Sequence, residues 1–170
     1  DLSVPSLFVS GDIDVDGTTN LDAVDVDGTV NFAADVTFAD GADLITASAG
    51  TSNVRIGVNA GNSITSGGNY NVVVGDEAGT AITTGDKNVA LGFEALATED
   101  TGKSSVAIGY QALKVQNNDA ENNNTAIGAL AGLSVTTGIR NTLIGGLTGD
   151  AITTGQNNVA MGYQTLGAET

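Results

Sequence analysis

The nine residues NVALGFEAL, from Asn88 to Leu96, and their successor SVAIGYQAL, from Ser105 to Leu113, decide the reading of this chain. Near-copies begin at Asn53 (NVRIGVNAG), Asn71 (NVVVGDEAG), Asn124 (NTAIGALAG), Asn141 (NTLIGGLTG) and Asn158 (NVAMGYQTL). The fifth residue is always glycine: Gly57, Gly75, Gly92, Gly109, Gly128, Gly145 and Gly162, spaced 18, 17, 17, 19, 17 and 17. A short fixed period means one small unit stacked on copies of itself, each contacting only its neighbours. The pattern predicts an all-β chain: a stacked-repeat parallel β-solenoid, or β-roll, of seven coils over residues 49–170.

Alternation within each motif predicts a strand. Its second and fourth residues (Val54/Ile56, Val72/Val74, Val89/Leu91, Val106/Ile108, Thr125/Ile127, Thr142/Ile144, Val159/Met161) share one pleat face, which is expected to be the interior. The opposite face carries Ala90, Ala107, Ala126 and Ala160, with larger residues at Arg55, Val73 and Leu143. Small side chains there let another backbone approach, so a homotrimer closed through the alanine face is expected. The copies would be intertwined or side by side in an elongated fibre. A coil this short is expected to close only a slim two-strand loop, with one further apolar anchor each, as at Ile64, Ile82, Val135 and Ile152. Ordering costs about 1–2 kcal/mol of backbone entropy per residue, and association would supply burial that a lone thin stack lacks.

The corners have their own logic. Glycine after each strand and in the ThrThrGly turns supplies φ > 0 for tight bends. Asn53, Asn71, Asn88, Asn124, Asn141 and Asn158, with Ser105 as the one substitute, recur where the chain enters the strand. Stacked one rung apart, their amides can bond each other and the turn backbone, a structural role.

The first 48 residues form a second region. A period of 11 links GTTNLDAVDVD from Gly17 with GTVNFAADVTF from Gly28, and apolar residues alternate with aspartates. The expectation is an acidic β-repeat shaft over 1–48. Of the net charge of −15, residues 1–50 contribute ten Asp and no Lys or Arg. Nucleic acid is excluded as a partner because phosphate neutralisation needs clustered cations, and an anionic bilayer is repelled likewise. The 170 residues contain no Cys and no His, which removes disulfides, thiolate sites, imidazole bases and the usual zinc ligands. No apolar run is long enough to span a bilayer as a helix. Asp1, and a C-terminus that stops just after a repeat strand, are expected to mean a processed or partial chain.

Three local patterns touch on chemistry. DIDVDG at 12–17 opens like a calcium loop, but the twelfth position holds Ala23 in place of the bidentate Glu. A weaker calcium site in the Asp-rich shaft stays open. ATEDTGKS at 97–104 resembles a loose phosphate-binding loop, but the next strand follows where a helix should begin, so an enlarged surface turn is expected. Glu77 and Glu94 fall one coil apart, near the carboxyl separation of a retaining glycosidase; two solvated acids are the expected reading. No catalytic, cofactor-binding or metal-ligating residue is assigned, and no cofactor is expected. Phe93, Tyr110 and Tyr163 each follow a repeat glycine and could form a ladder against a neighbouring chain or a sugar. Asn117 and Asn118, in the polar insertion 114–124, are the other candidate contacts.

SVAIGYQA and NTAIGALA resemble the head repeats of trimeric autotransporter adhesins, over residues 53–166. That resemblance implies trimeric left-handed parallel β-rolls, with coils shorter than those here. The Asp-rich 11-residue region combined with such coils is similar to the fibre proteins of tailed phages, marine ones especially. This implies an elongated homotrimer on a virion surface, partnered by itself and other virion proteins, and touching a host glycan or protein. A bacterial outer-surface adhesin is the alternative. A polysaccharide-cleaving tailspike or an ice binder would need a groove or an unbroken Thr array.

Overall fold

A computed structural model describes residues 48–167; the acidic region with its DIDVDG segment lies outside the described residues, Ser48 excepted. Seven three-residue strands follow in order: β1 (Val54–Ile56), β2 (Val72–Val74), β3 (Val89–Leu91), β4 (Val106–Ile108), β5 (Thr125–Ile127), β6 (Thr142–Ile144) and β7 (Val159–Met161). They form one parallel sheet ordered β1 to β7, each strand pairing its sequence neighbours. The register is that of the repeat: Val89, Ala90 and Leu91 stand beside Val106, Ala107 and Ile108. At about 4.8 Å per rung the seven strands span roughly 29 Å. The described residues are therefore an all-β parallel solenoid, without helix.

Only one side of each coil is a strand. The expected second strand is instead a run of turns closed by bonds such as Ala78 N to Gly75 O and Ile82 N to Gly79 O. These turns also bond from coil to coil: Gly79 N donates to Ala95 O at 2.9 Å and Thr83 N to Asp100 O at 2.8 Å. The backbone is thus satisfied around the perimeter, as a stack of identical units permits.

The pleat faces the other way from the expected one. The middle residues Val73, Ala90, Ala107, Ala126 and Leu143 are fully buried, whereas Leu91 is 43% and Val159 77% exposed. Val/Ile alternation distinguishes two faces without saying which is inside. Cross-section decides it here: the coil is so narrow that its interior accepts the smaller set. The alanine face therefore lines the solenoid core and cannot be a surface through which copies associate.

Volume is exchanged across this core. Where the strand centre is Ala90 or Ala107, the residue six places on is Leu96 or Leu113, both fully buried. Where it is Val73 or Leu143, that place holds Gly79 or Gly149. A Cβ at Gly79 would lie 2.7 Å from Val73 Cγ1, and one at Gly149 2.8 Å from Leu143 Cδ2. The bulky centres Val73 and Leu143 are thus core residues matched to a glycine opposite, as close packing demands. Ile64, Ile82 and Val135 complete the core on the turn side, with Ile152 packed against it.

The strand-ending glycines all have φ between 125° and 137°. At Gly92 an added Cβ would also sit 2.5 Å from the carbonyl oxygen of Gly109, so glycine is required both by conformation and by the approach of the next coil. The ThrThrGly glycines differ from expectation. Gly85, Gly138 and Gly155 do not have positive φ; the left-handed residues of those corners are Lys87, Arg140 and Asn157. Gly85 is needed because a Cβ would lie 2.6 Å from Gly102 O.

Candidate interaction face and buried polar cluster

Turning the alternation over places Val, Ile, Leu, Met and Thr on the outside of the sheet. Ile56, Val72, Leu91, Ile127, Val159 and Met161 are exposed, the other outward strand residues are half-buried, and none is charged. One position past the strand-ending glycine the column continues with the exposed Phe93 and Tyr110, whose rings stack with centroids 5.7 Å apart at 12°. Tyr163 is separated from them by Ala129 and Gly146, so the three aromatics form one pair and one isolated ring. A continuous apolar column of this kind, unlike hydrophobic residues scattered singly over a surface, is the form an interaction face takes.

The asparagine column forms the opposite edge of the strand. Asn71 N donates to Asn53 Oδ1 at 2.8 Å, Asn88 N to Asn71 Oδ1 at 2.9 Å, and Ser105 N to Asn88 Oδ1 at 2.9 Å. The series resumes with Asn141 N to Asn124 Oδ1 and Asn158 N to Asn141 Oδ1. The amide nitrogens of Asn53, Asn71, Asn88, Asn124 and Asn141 donate to the carbonyl of the turn glycine that follows 14 or 15 residues later: Gly68, Gly85, Gly102, Gly138 and Gly155. These side chains are buried and satisfied, which is a structural role.

The ladder breaks at Ser105, which has no amide, and the break coincides with a second anomaly. The turn-side anchors align as Ile64, Ile82, Glu99, Gln116, Val135 and Ile152, so two adjacent coils place a carboxylate and an amide where the others place a branched hydrocarbon. Both are fully buried. Gln116 Nε2 donates to Glu99 Oε2 at 2.8 Å and to Ser105 Oγ at 2.9 Å, while its Oε1 accepts from Asn124 Nδ2 at 2.7 Å. Gln116 therefore bridges the gap in the ladder. Glu99 Oε1 accepts from Gly102 N at 2.8 Å and Asn118 N at 3.4 Å, and Oε2 also from Asn122 Nδ2 at 2.9 Å. Burial pushes the Glu99 carboxyl above the usual carboxylate range, against the bonds from Gln116, Gly102 and Asn118 that lower it, with Asp100 adding to the rise. The 97–104 segment is thus more than an enlarged surface turn, because Glu99 points inward. Only the unpaired length of the insertion hinted at this in the sequence.

The remaining sites separate. Glu77 accepts from Asn59 Nδ2 at 2.7 Å, and Glu94 from Gln111 Nε2 at 2.5 Å and Lys114 Nζ at 2.7 Å. The bond from Lys114, then that from Gln111, holds Glu94 below its ordinary value, the opposite of what a glycosidase acid requires. Asn117 is exposed on the insertion, and Asn118 is half-buried with its amide on Thr137 O at 3.0 Å. Among the described residues no group of three or more acidic, Cys or His side chains could hold a metal ion, and no helix is long and apolar enough to cross a membrane. No protein-family model, curated protein or solved structure matches this chain.

Proposed function

We propose that this chain is a structural fibre protein of a virion, a phage tail or head fibre, in which three copies associate along their solenoids into an elongated spacer that presents host-contacting loops. The observation that carries the reading is the uncharged apolar sheet face running the length of all seven coils. A stack that buries mainly alanine on its inner face and leaves Val, Ile and Met outside gains its missing burial by self-association. The associating surface is therefore the outward Val/Ile face, in place of the alanine face. The chain acts without catalysis: among the described residues Asp86 and Glu94 are held by lysines and Glu99 is buried alone, while the repeat positions serve backbone geometry. The second reading, a bacterial surface adhesin head, is favoured by the strand motif SVAIGYQA.

Light scattering tests the assembly. Three chains of 16.8 kDa give a particle of about 50 kDa. A monomer would remove the basis of the fibre reading. Immunogold labelling of purified phage particles against bacterial surfaces then separates virion fibre from adhesin.

A further inference from the structure

Glu99 and Gln116 replace hydrophobic anchors at the two coils that bracket the insertion 114–124, and three of the four donors to the Glu99 carboxylate come from that insertion: Gln116 Nε2, Asn118 N and Asn122 Nδ2. We propose that Glu99 is a proton-operated clasp on residues 114–124, locking this segment onto the solenoid when it holds a proton and letting it open when it is ionised.

Two features of the cluster carry this. First, no cation reaches the carboxylate. Lys103 is paired with Asp86 at 2.8 Å and Lys114 with Glu94 at 2.7 Å, while the groups nearest Glu99 in sequence or on the insertion are acids: Asp100, Asp119, bonded to Thr101, and Glu121, beside Lys103. Of the two adjoining coils, one places Ile82 and the other Gln116 at the aligned position, so neither brings a charge there. An ionised, fully buried carboxylate held only by neutral donors, with the Asp100 carboxylate next to it in sequence, is costly, and water in an opened segment relieves it. Second, the buried Oδ1 of Asn122 has no hydrogen-bond partner. A half-turn of that amide puts Oδ1 in the place of Nδ2, 2.9 Å from Glu99 Oε2, where it accepts a proton carried on the carboxyl.

The direction follows from linkage. Burial raises the Glu99 affinity for a proton in the closed state, whereas an opened segment returns it to its ordinary value. Closure is therefore strengthened below the ordinary glutamate range and weakens as pH rises through the elevated value. Residues 114–124 carry the exposed Asn117, Asp119 and Glu121, so the clasp governs how rigidly the most polar loop of the solenoid is displayed.

Amide hydrogen exchange of the full chain, corrected for the intrinsic pH dependence, reads this directly. The opening constant of amides in 114–124 is expected to rise at least about threefold from pH 4.5 to 7, with amides of strands β6 and β7 unaffected. Glu99→Gln, which cannot ionise, is expected to abolish that rise. A carboxyl-carbon NMR titration of the wild-type protein serves if the variant does not fold: a Glu99 midpoint above that of the exposed Glu121 supports the clasp. A midpoint at or below it, or loop protection independent of pH in the wild type, overturns the proposal. None of these readouts depends on whether the protein is a virion fibre.

Discussion

At the scale of single residues, substitutions at neighbouring strand positions have opposite consequences. Ala107 is sealed in the core, so Ala107→Asp introduces an unpaired buried carboxylate and is expected to lower stability by at least about 3 kcal/mol, read as loss of the cooperative thermal transition by circular dichroism. Leu91 points outward, and Leu91→Asp should leave that transition within roughly 1 kcal/mol of wild type under conditions where the chain is monomeric. Sequence alternation alone assigned these roles the other way round, making Val89, Leu91, Val106 and Ile108 the core. The period, the seven motif strands and the glycines that end them were legible because they repeat seven times. Facing was not, because it depends on the width of the closed coil, which only the packing of Leu96, Leu113 and the glycines opposite Val73 and Leu143 establishes. Lys87 holds a φ of 60°, a left-handed conformation that costs an L-residue roughly 1 kcal/mol. Lys87→Gly is therefore expected to raise stability by a few tenths to about 1 kcal/mol, seen as a higher urea midpoint, if relief of strain exceeds the added unfolded-state entropy.

Within a coil, the strand and the turn six residues on behave as one packing unit. Ala107→Leu alone overpacks the interior and should cost about 1–3 kcal/mol. Combined with Leu113→Gly it recreates the Leu143–Gly149 pairing, and a double-mutant cycle by urea denaturation should show a favourable coupling of about 1 kcal/mol or more. Simple addition of the two single costs would refute the exchange. The turn side was the least legible part of the sequence. Ser105 read as a substitution in the asparagine column and Glu99 as part of a surface turn, whereas Gln116 joins them into one buried network. No period reveals that, because the network exists at only one place in the stack. Charge at the corners acts with the opposite pH sense to Glu99. The bond from Lys103 holds the Asp86 carboxyl below its ordinary value, so its stabilisation is present above the normal aspartate range and is lost as pH falls through the lowered one. Asp86→Asn should flatten the acid limb of the stability curve below about pH 4, with a change of under about 1 kcal/mol because the pair lies at the surface, with the Lys103 side chain 40% exposed.

For the whole stack, stability is shared between neighbours in one dimension, so damage to one coil propagates only through its two interfaces. The outward face adds a second dimension. If copies meet there, Leu91→Asp and Ile127→Asp together should shift the light-scattering mass from about three chains to one, with little change in far-ultraviolet circular dichroism. Survival of the larger species would place the contact elsewhere. The thin core and the small alanine face suggested association in the sequence; the pleat buries that face, so the proposed contact moves to the outward Val/Ile face.

The exchange of volume between Val73 and Gly79, Ala90 and Leu96, Ala107 and Leu113, and Leu143 and Gly149 also bears on how such a chain can lengthen or be shuffled. A recombination breakpoint between a strand and its following turn would join Leu143 to a coil carrying Leu113 and give a clash, and the small-with-small pairing is tolerated only where, as at Ala126 and Gly132, leucines of the adjoining coils reach in. A breakpoint at the asparagine corner transfers both halves of each pair together. Heritable gain or loss of coils should therefore have its junctions at the corners, with the coils in between inherited whole.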